Sequence, residues 1–393
     1  MNLLKNCVVT NKNVILRVDM NVPVKNGIIQ DDTRIKAVIP TIKYLIEREA
    51  KVILISHFGR PKGQKVESMS LKQLTSRIEE LLGQKINFID DCIGKKAEEA
   101  VANAKYGEVI LLENLRFHKG ETKNDPEFSR SLASLGNFYV NDAFSCSHRA
   151  HSSIVGVAEI LKSAAGLLLQ NEIENLTNLV ANPKKPMLAI VGGSKVSTKI
   201  DLINALILKA DAIFIAGGMA NTFLYAMGNN VGKSLCEKDL KDLALKILEN
   251  AQKNNCEIIL PKDVQVCLKL ENGTEVRNVL IKDVANDDII ADVGEKTVAY
   301  LAKKISDFKS LVWNGPLGAF EIKPFDAGTE NLARVVAAQT KAEELISVAG
   351  GGDVVSALNS SGFIDDFSYI STAGGAFLEW LEGKSLPGIL ILK

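Results

Sequence analysis

The 393-residue chain sets 47 Lys+Arg against 47 Asp+Glu, a formal net charge of zero that argues against a protein built to bind bulk nucleic acid or an anionic membrane. At 46% hydrophobic and 24% charged the composition is that of a folded globular protein, which excludes disorder, and the length suggests two domains or more. The opening MNLLKNCVVTNKN lacks the apolar core of a signal peptide and no apolar run approaches the roughly 18 residues of a membrane span, so a cytoplasmic protein is expected.

Short β-rich apolar runs alternate with amphipathic stretches along nearly the whole chain, the rhythm of βαβ units and parallel sheets. Strands are expected at 14–18, 51–56, 108–112 and 137–141, then at 187–191, 211–216, 256–260, 310–314, 345–349 and 368–371. All are apolar on both faces, as buried parallel strands should be. A helical run at 166–180, closed by ANPKKP, marks the domain boundary. The expected fold is α/β: two Rossmann-like, doubly wound parallel-sheet domains joined by a helix, with a hinge cleft between them. The domains are expected at 1–180 and 181–372.

Ligands of doubly wound sheets sit at the carboxyl ends of the strands. In the first half those ends read Asp19-Met20-Asn21, His57-Phe58-Gly59-Arg60, Asn114-Leu115-Arg116 and Asp142 leading to His148-Arg149-Ala150-His151. Arg34, at the start of the next helical stretch, can join them. Eight of the ten arginines and all four histidines precede residue 152. Because guanidinium groups fit carboxylate and phosphate bidentately, a small polyanion such as a phosphorylated carboxylic acid is the expected ligand. His118 reads as a surface residue.

The second half places glycines where the first places arginines: Gly192-Gly193, Gly217-Gly218, Gly315, Gly350-Gly351-Gly352 and Gly374-Gly375. Glycine between a strand and a helix N-terminus lets backbone N–H groups approach an anion that the helix dipole favours. Five such places point to a nucleotide along one edge of the sheet. Lys195 and Lys199, four apart, are expected on one face of the helix that begins here and so can reach one phosphate, and Asp353 is placed to anchor Mg²⁺. GNNVGKS at 228–234 is one residue short of a P-loop and follows a helical stretch, so it reads as a surface turn. The six cysteines, Cys7, Cys92, Cys146, Cys236, Cys256 and Cys267, show no CxxC pair and no Cys/His ligand spacing, which makes zinc or a disulfide framework an unfavoured reading.

RVDMNVP (17–23), DDTRI (31–35), SHFGRP (56–61), LLENLRF (111–117), HRAHSS (148–153), GGSKVSTKI (192–200), GGMANTF (217–223), WNGPLGAFE (313–321), GGGD (350–353) and STAGGAFLEWLEGKSLPG (371–388) together resemble phosphoglycerate kinases, in the family's order. The resemblance implies Mg²⁺-dependent, reversible phosphoryl transfer from 1,3-bisphosphoglycerate to ADP. It implies that Asp19, Met20, Asn21, Arg34, His57, Phe58, Gly59, Arg60, Arg116 and Arg149 surround the phosphoglycerate. It implies that Lys195, Lys199, Gly217, Gly218, Asn314, Glu321, Gly351, Gly352, Asp353 and Val354 surround ATP or ADP, with Glu321 at the ribose and Asp353 at the metal. Arg34, Lys195, Lys199, Gly374 and Gly375 would carry catalysis, and residues 373–393 would pack back on the first domain.

The sequence departs from the family's commoner pattern at Val354, Ala373, Thr198 and Ser145-Cys146-Ser147. The protein is expected to act as a monomer, without nucleic acid or membrane partners. A non-catalytic nucleotide or metabolite sensor of the same fold is the alternative, and the complete set Arg34, Lys195, Lys199 and Asp353 speaks for the enzyme.

Overall fold

The computed structural model describes residues 1–178 and 182–392. It divides into two compact units, Met1–Glu174 together with the residues from Ser385 onward, and Asn175–Lys384. The helix at the expected boundary runs Leu167–Leu176; the end of its expected span and residue 181 lie outside the described residues. Among the described residues no helix is long and apolar enough to cross a membrane.

The first unit is built on a six-stranded parallel sheet. Its strands are β1 (Asn13–Arg17), β4 (Lys51–Ile55), β5 (Asn87–Ile89), β6 (Val109–Leu112), β7 (Phe138–Asn141) and β8 (Ser163–Ala165); β2 (Val24–Lys25) and β3 (Ile28–Ile29) form a separate hairpin. The spatial order is β5-β6-β4-β1-β7-β8. β4, β6 and β7 are buried along their whole length, so helices cover both faces, and Val14, Leu16, Val52, Leu54, Val109 and Val140 share one core with Ile35, Val38 and Ile42 of the helix Thr33–Ile46.

The second unit also carries a six-stranded parallel sheet, with two strands on one side of its first strand and three on the other. Its strands are β9 (Met187–Val191), β10 (Ala212–Ile215), β11 (Glu257–Ile259), β15 (Ser310–Asn314), β16 (Ile346–Gly350) and β17 (Tyr369–Ser371), in the order β11-β10-β9-β15-β16-β17, all parallel. A smaller antiparallel sheet of β12 (Asp263–Cys267), β13 (Arg277–Leu280) and β14 (Ile289–Val293) is inserted before β15. In both units the chain leaves the first strand toward one edge and later returns to its other side. The switch points therefore lie between β1 and β7 and between β9 and β15, where loops diverge and open a crevice.

The ten expected strands are all present, each within a residue or two at its ends. The short edge strands β5 and β8 and the antiparallel insertion were not expected. β5 reads NFI and β8 reads SAA, too short and too weakly apolar to stand out. The tail also divides differently from the expectation. Ala376, Phe377 and Leu381 of the helix Gly375–Leu381 are buried in the second unit, with the Phe377 ring over Gly350. Only from Ser385 does the chain belong with the first, where Gly388 donates to the Ser147 carbonyl (2.9 Å) and accepts from Asn141 Nδ2 (3.0 Å).

Candidate functional site

At the carboxyl edge of the first sheet, Arg60, Arg116 and Arg149 line one cavity of about 610 Å³ with Lys62, Lys119, Lys123 and His151, and no carboxylate is among its lining residues. The three arginines follow three different strands. Asn114, at the end of β6, fastens two of the loops: its Oδ1 accepts from Phe58 N (3.1 Å) and Arg116 N (3.0 Å), and its Nδ2 donates to the Phe58 carbonyl (2.7 Å). Arg116 Nη1 donates to Gly59 O (2.7 Å), while its Nε is buried without a protein partner. A buried guanidinium N–H lacking an acceptor is costly, and an anion in the cavity would supply one.

At the β1/β7 switch point Asp19 Oδ2 takes Arg34 Nη1 (3.0 Å) and the Ser145 hydroxyl, and Arg34 Nη1 also reaches Asn21 O (3.1 Å). Burial opposes the Asp19 charge, yet His57, Arg34, the Ser145 hydroxyl and Arg17 hold its carboxyl at about 2. Asn21 Oδ1 accepts from Gly59 N (2.8 Å). Burial, reinforced by Arg17, Arg116 and Arg149, holds the His57 imidazole well below its usual range, although Asp19 works the other way. At pH 7 His57 is therefore uncharged, and there Arg34, Arg17 and the Ser145 hydroxyl are what keep Asp19 ionised. Its Nδ1 lies 3.2 Å from Arg17 Nη2, which can only donate, so the ring proton belongs on Nε2, free to donate onward.

Some expected residues stand at one remove from this cavity. Met20 and Phe58 turn their side chains into the core and serve through their backbones, Met20 N donating to Ser56 Oγ (3.0 Å). Arg34 is turned to Asp19 and does not line the cavity. Arg17, fully buried, was not singled out, although an arginine inside the run VILRV demands partners; Ser153 Oγ at 2.9 Å and His57 supply them, and Glu121, which bonds the same hydroxyl (2.7 Å), sits below its ordinary carboxylate range. Ser145 and Ser147, departures from the commoner pattern, hold Asp19 and Asn141 respectively.

In the second unit a cavity of about 370 Å³ is lined by Gly193, Gly217, Gly218, Glu321 and Asp353 on its polar side and by Leu235, Leu270, Ile289, Val293 and Leu317 among its apolar walls. A flat apolar body with anionic groups at one end fits such a lining. The glycines at the β9/β15 switch point are there for space. A Cβ on Gly192 would lie 1.9 Å from Pro316 O, and one on Gly217, at φ +68°, would lie 2.7 Å from Gly193 O.

Three helices open on glycine here, Gly218–Ala226, Gly352–Ser361 and Gly375–Leu381, and none has a side-chain cap. In the second of these the first intrahelical bond is Val355 N to Gly351 O (3.0 Å), which leaves the N–H groups of Gly352, Asp353 and Val354 for a ligand. The Val354 side chain itself is in the core, so the hydroxyl it replaces would not have pointed outward without repacking.

Lys199 Nζ donates to Gly192 O and Asn314 Oδ1, both at 2.6 Å, and Asn314 Nδ2 holds Gly350 O. Burial lowers the Lys199 ammonium to about 8, opposed by Asp353. Lys195 is exposed, four residues earlier in a loop and turn rather than in a continuous helix, so the pair does not share a helical face as expected. Glu321 and Asp353 are exposed at the cavity mouth, and Gly374, at φ +55°, opens the helix Gly375–Leu381. Lys233 of the GNNVGKS segment pairs with Asp287 at the surface and does not line this cavity.

A family model described as phosphoglycerate kinase matches residues 4–384. The phosphoglycerate kinase of Sinorhizobium medicae is 54% identical over 385 residues, covering 98% of this chain and 96% of the relative; that of Xanthobacter autotrophicus is 52% identical with the same coverage. The solved phosphoglycerate kinase of Coxiella burnetii superposes with a TM-score of 0.89 at 42% identity, covering 99% of this chain and 98% of that one. The enzyme of Pyrococcus horikoshii gives 0.86 at 32%, covering 100% and 98%. With the arginine-lined cavity on one sheet, the glycine-lined one on the other and this likeness from end to end, the chain belongs to the phosphoglycerate kinase family.

Proposed function

We propose that the reversible transfer of the acyl phosphate of 1,3-bisphosphoglycerate to ADP, the activity of this family, runs here between ligands held separately on the two units. The cavity carrying Arg60, Arg116 and Arg149 with no carboxylate in its lining is the observation that supports this most. Its cations match the phosphate and carboxylate of 3-phosphoglycerate, and the orphaned Arg116 Nε gives a bound anion an acceptor role. Neutral His57 donates from Nε2, and Asp19 and Asn21 orient Arg34 and the Gly59 backbone. In the second unit Gly217, Gly218 and Glu321 receive the nucleoside, and the first-turn N–H groups of Gly352, Asp353 and Val354 receive its phosphates.

The leaving carboxylate needs no proton and the attacking phosphate oxygen carries none at neutral pH, so no general base is required. Catalysis is positioning and neutralisation of the equatorial oxygens by Arg34, Lys199, Lys195 and the backbone N–H groups of Gly374 and Gly375. Asp353, an exposed carboxylate at the nucleotide cavity and near enough to Lys199 to act on its charge, fits a Mg²⁺ that is shared with nucleotide phosphates. That cation, when bound, neutralises phosphate oxygens. Ligands on separate units react only when brought into contact, so the units close on each other around both substrates; a radius of gyration from solution scattering that is the same with and without both substrates would contradict this. The chain is taken to act as a cytoplasmic monomer on small molecules, which light scattering checks as a mass of one chain.

A coupled assay of ATP formation with Mg²⁺ tests the reading. Arg116→Ala should lower kcat/KM for the bisphosphoglycerate roughly hundredfold, the cost of removing one partner of a desolvated charge pair, with nucleotide affinity unchanged. No turnover by folded protein would return the chain to the sensor reading.

A further inference from the structure

At the edge of the arginine-lined cavity, three side chains of different donor chemistry meet in the first unit. Asp91 and Cys92 lie in the loop between β5 and the helix Lys95–Asn103, and His118 follows the turn Leu115–Phe117. A carboxylate oxygen, the thiol sulfur and an imidazole nitrogen all lie within 4.8 Å of one another. We propose that Asp91, Cys92 and His118 form a binding site for one soft divalent cation of the zinc type, with water completing a tetrahedron.

The donor set is the argument's first support. Zinc takes thiolate sulfur at about 2.3 Å and imidazole nitrogen or carboxylate oxygen at about 2.0–2.2 Å, which places tetrahedral ligands roughly 3.3–3.8 Å apart. Asp91 Oδ1 and His118 Nε2, now 2.7 Å apart, would open and the sulfur would close in to reach that spacing. Mg²⁺, which demands an octahedron of oxygens, is a poor match to a thiol and an imidazole. Pre-positioning is the second support. His118 stacks on Phe128 with centroids 5.2 Å apart, its backbone N–H donates to Leu115 O (3.1 Å) and its carbonyl accepts from Glu121 N (3.3 Å). Asp91 Oδ1 accepts from Cys92 N and stands 2.7 Å from His118 Nε2, a hydrogen bond whose proton lies where the cation would.

Charge is the third support. Cys92 is 1% exposed, and the carboxylates of Asp91, Glu121 and Glu113 act on it. These same carboxylates attract a cation. Binding would break the S–H bond, form a sulfur–metal bond and release one proton to solvent, while the imidazole proton moves to Nδ1.

The test is titration of the full chain with Co²⁺, whose thiolate complexes absorb in the near ultraviolet. One equivalent should bind with that band, Zn²⁺ should displace it, Cys92→Ser should abolish it, and His118→Gln should weaken binding at least tenfold. His118 is half-buried, so that variant keeps the test usable should Cys92→Ser fail to fold. A band missing from the wild-type chain, retained in both variants, or lost instead in Cys146→Ser, which would move the ion to the Asp19, His57 and Cys146 cluster, would overturn the proposal.

Discussion

Replacing Lys199 by Met should weaken catalysis and remove a pH-dependent cost from the fold. Burial lowers the Lys199 ammonium from 10.5 to about 8, against the pull of Asp353. Between those values the unfolded chain holds a proton that the folded chain has released, so stability rises with pH across the window and the penalty is full only below 8. The two values give a cost to the folded state of about 3 kcal/mol at pH 7 and about 1.5 kcal/mol at pH 9.5. Met removes that cost while leaving Gly192 O and Asn314 Oδ1 without their donor, an offset that does not vary with pH. The stability difference between variant and wild type should therefore shift by about 2 kcal/mol in the wild type's favour from pH 7 to pH 9.5. Urea unfolding followed by tryptophan fluorescence reads the relevant unit, because both tryptophans, Trp313 and Trp380, lie in Asn175–Lys384. The same variant should lose roughly 10²–10³ in kcat, the magnitude of one well-placed transition-state donor. A difference that stays within about 0.5 kcal/mol across the pH range, at unchanged m-value, would refute the buried-ammonium argument.

Arg34→Ala should cut kcat more than tenfold while leaving nucleotide affinity within about twofold, and unchanged turnover would remove Arg34 from the transfer step. Asp292, buried in the wall of the second unit's glycine-lined cavity, is raised by burial to about 8 although Gly328 N (2.7 Å) and Val293 N (2.8 Å) donate to it. Between 3.8 and 8 the folded chain holds a proton that the unfolded chain gives up, so this group costs stability progressively as pH rises. Asp292→Asn should stabilise the second unit by about 2–4 kcal/mol at pH 7, with the gain vanishing toward pH 4; a gain independent of pH would contradict the assignment. Gly192→Ala should cost about 2 kcal/mol or more through its collision with the Pro316 backbone, whereas Gly352→Ala, with no atom within 4 Å of the new Cβ, should leave the denaturation midpoint nearly unmoved.

Much of the first-unit site was legible because it is local. Residues one to five positions beyond an apolar strand fall at the sheet's carboxyl edge whatever the strand order, which is why Arg60, Arg116 and the Gly217-Gly218 pair could be named from spacing. Arg34 and Val354 show the limit. The resemblance puts both near a ligand, but spacing does not say that Asp19 holds the first or that the second's side chain is in the core, leaving it only its backbone N–H to offer.

Arg17 and Glu121 escaped notice because they are 104 residues apart in the chain, and each makes sense only once β1 and the Ser153 segment are packed together. The cysteines make the same point. No Cys/His spacing suggests a metal site, yet packing brings His118 to the adjacent Asp91 and Cys92.

The sequence alone determined the alternation of strands and helices and the edge at which ligands gather, since periodicity and strand-end chemistry act over a few residues. Tertiary structure decided which strand ends are neighbours, where the second unit yields the chain back to the first at Ser385, and which charged groups lose their water. Those are consequences of strand order and burial, and they set the ionisation of Asp19, His57 and Lys199 on which the chemistry depends.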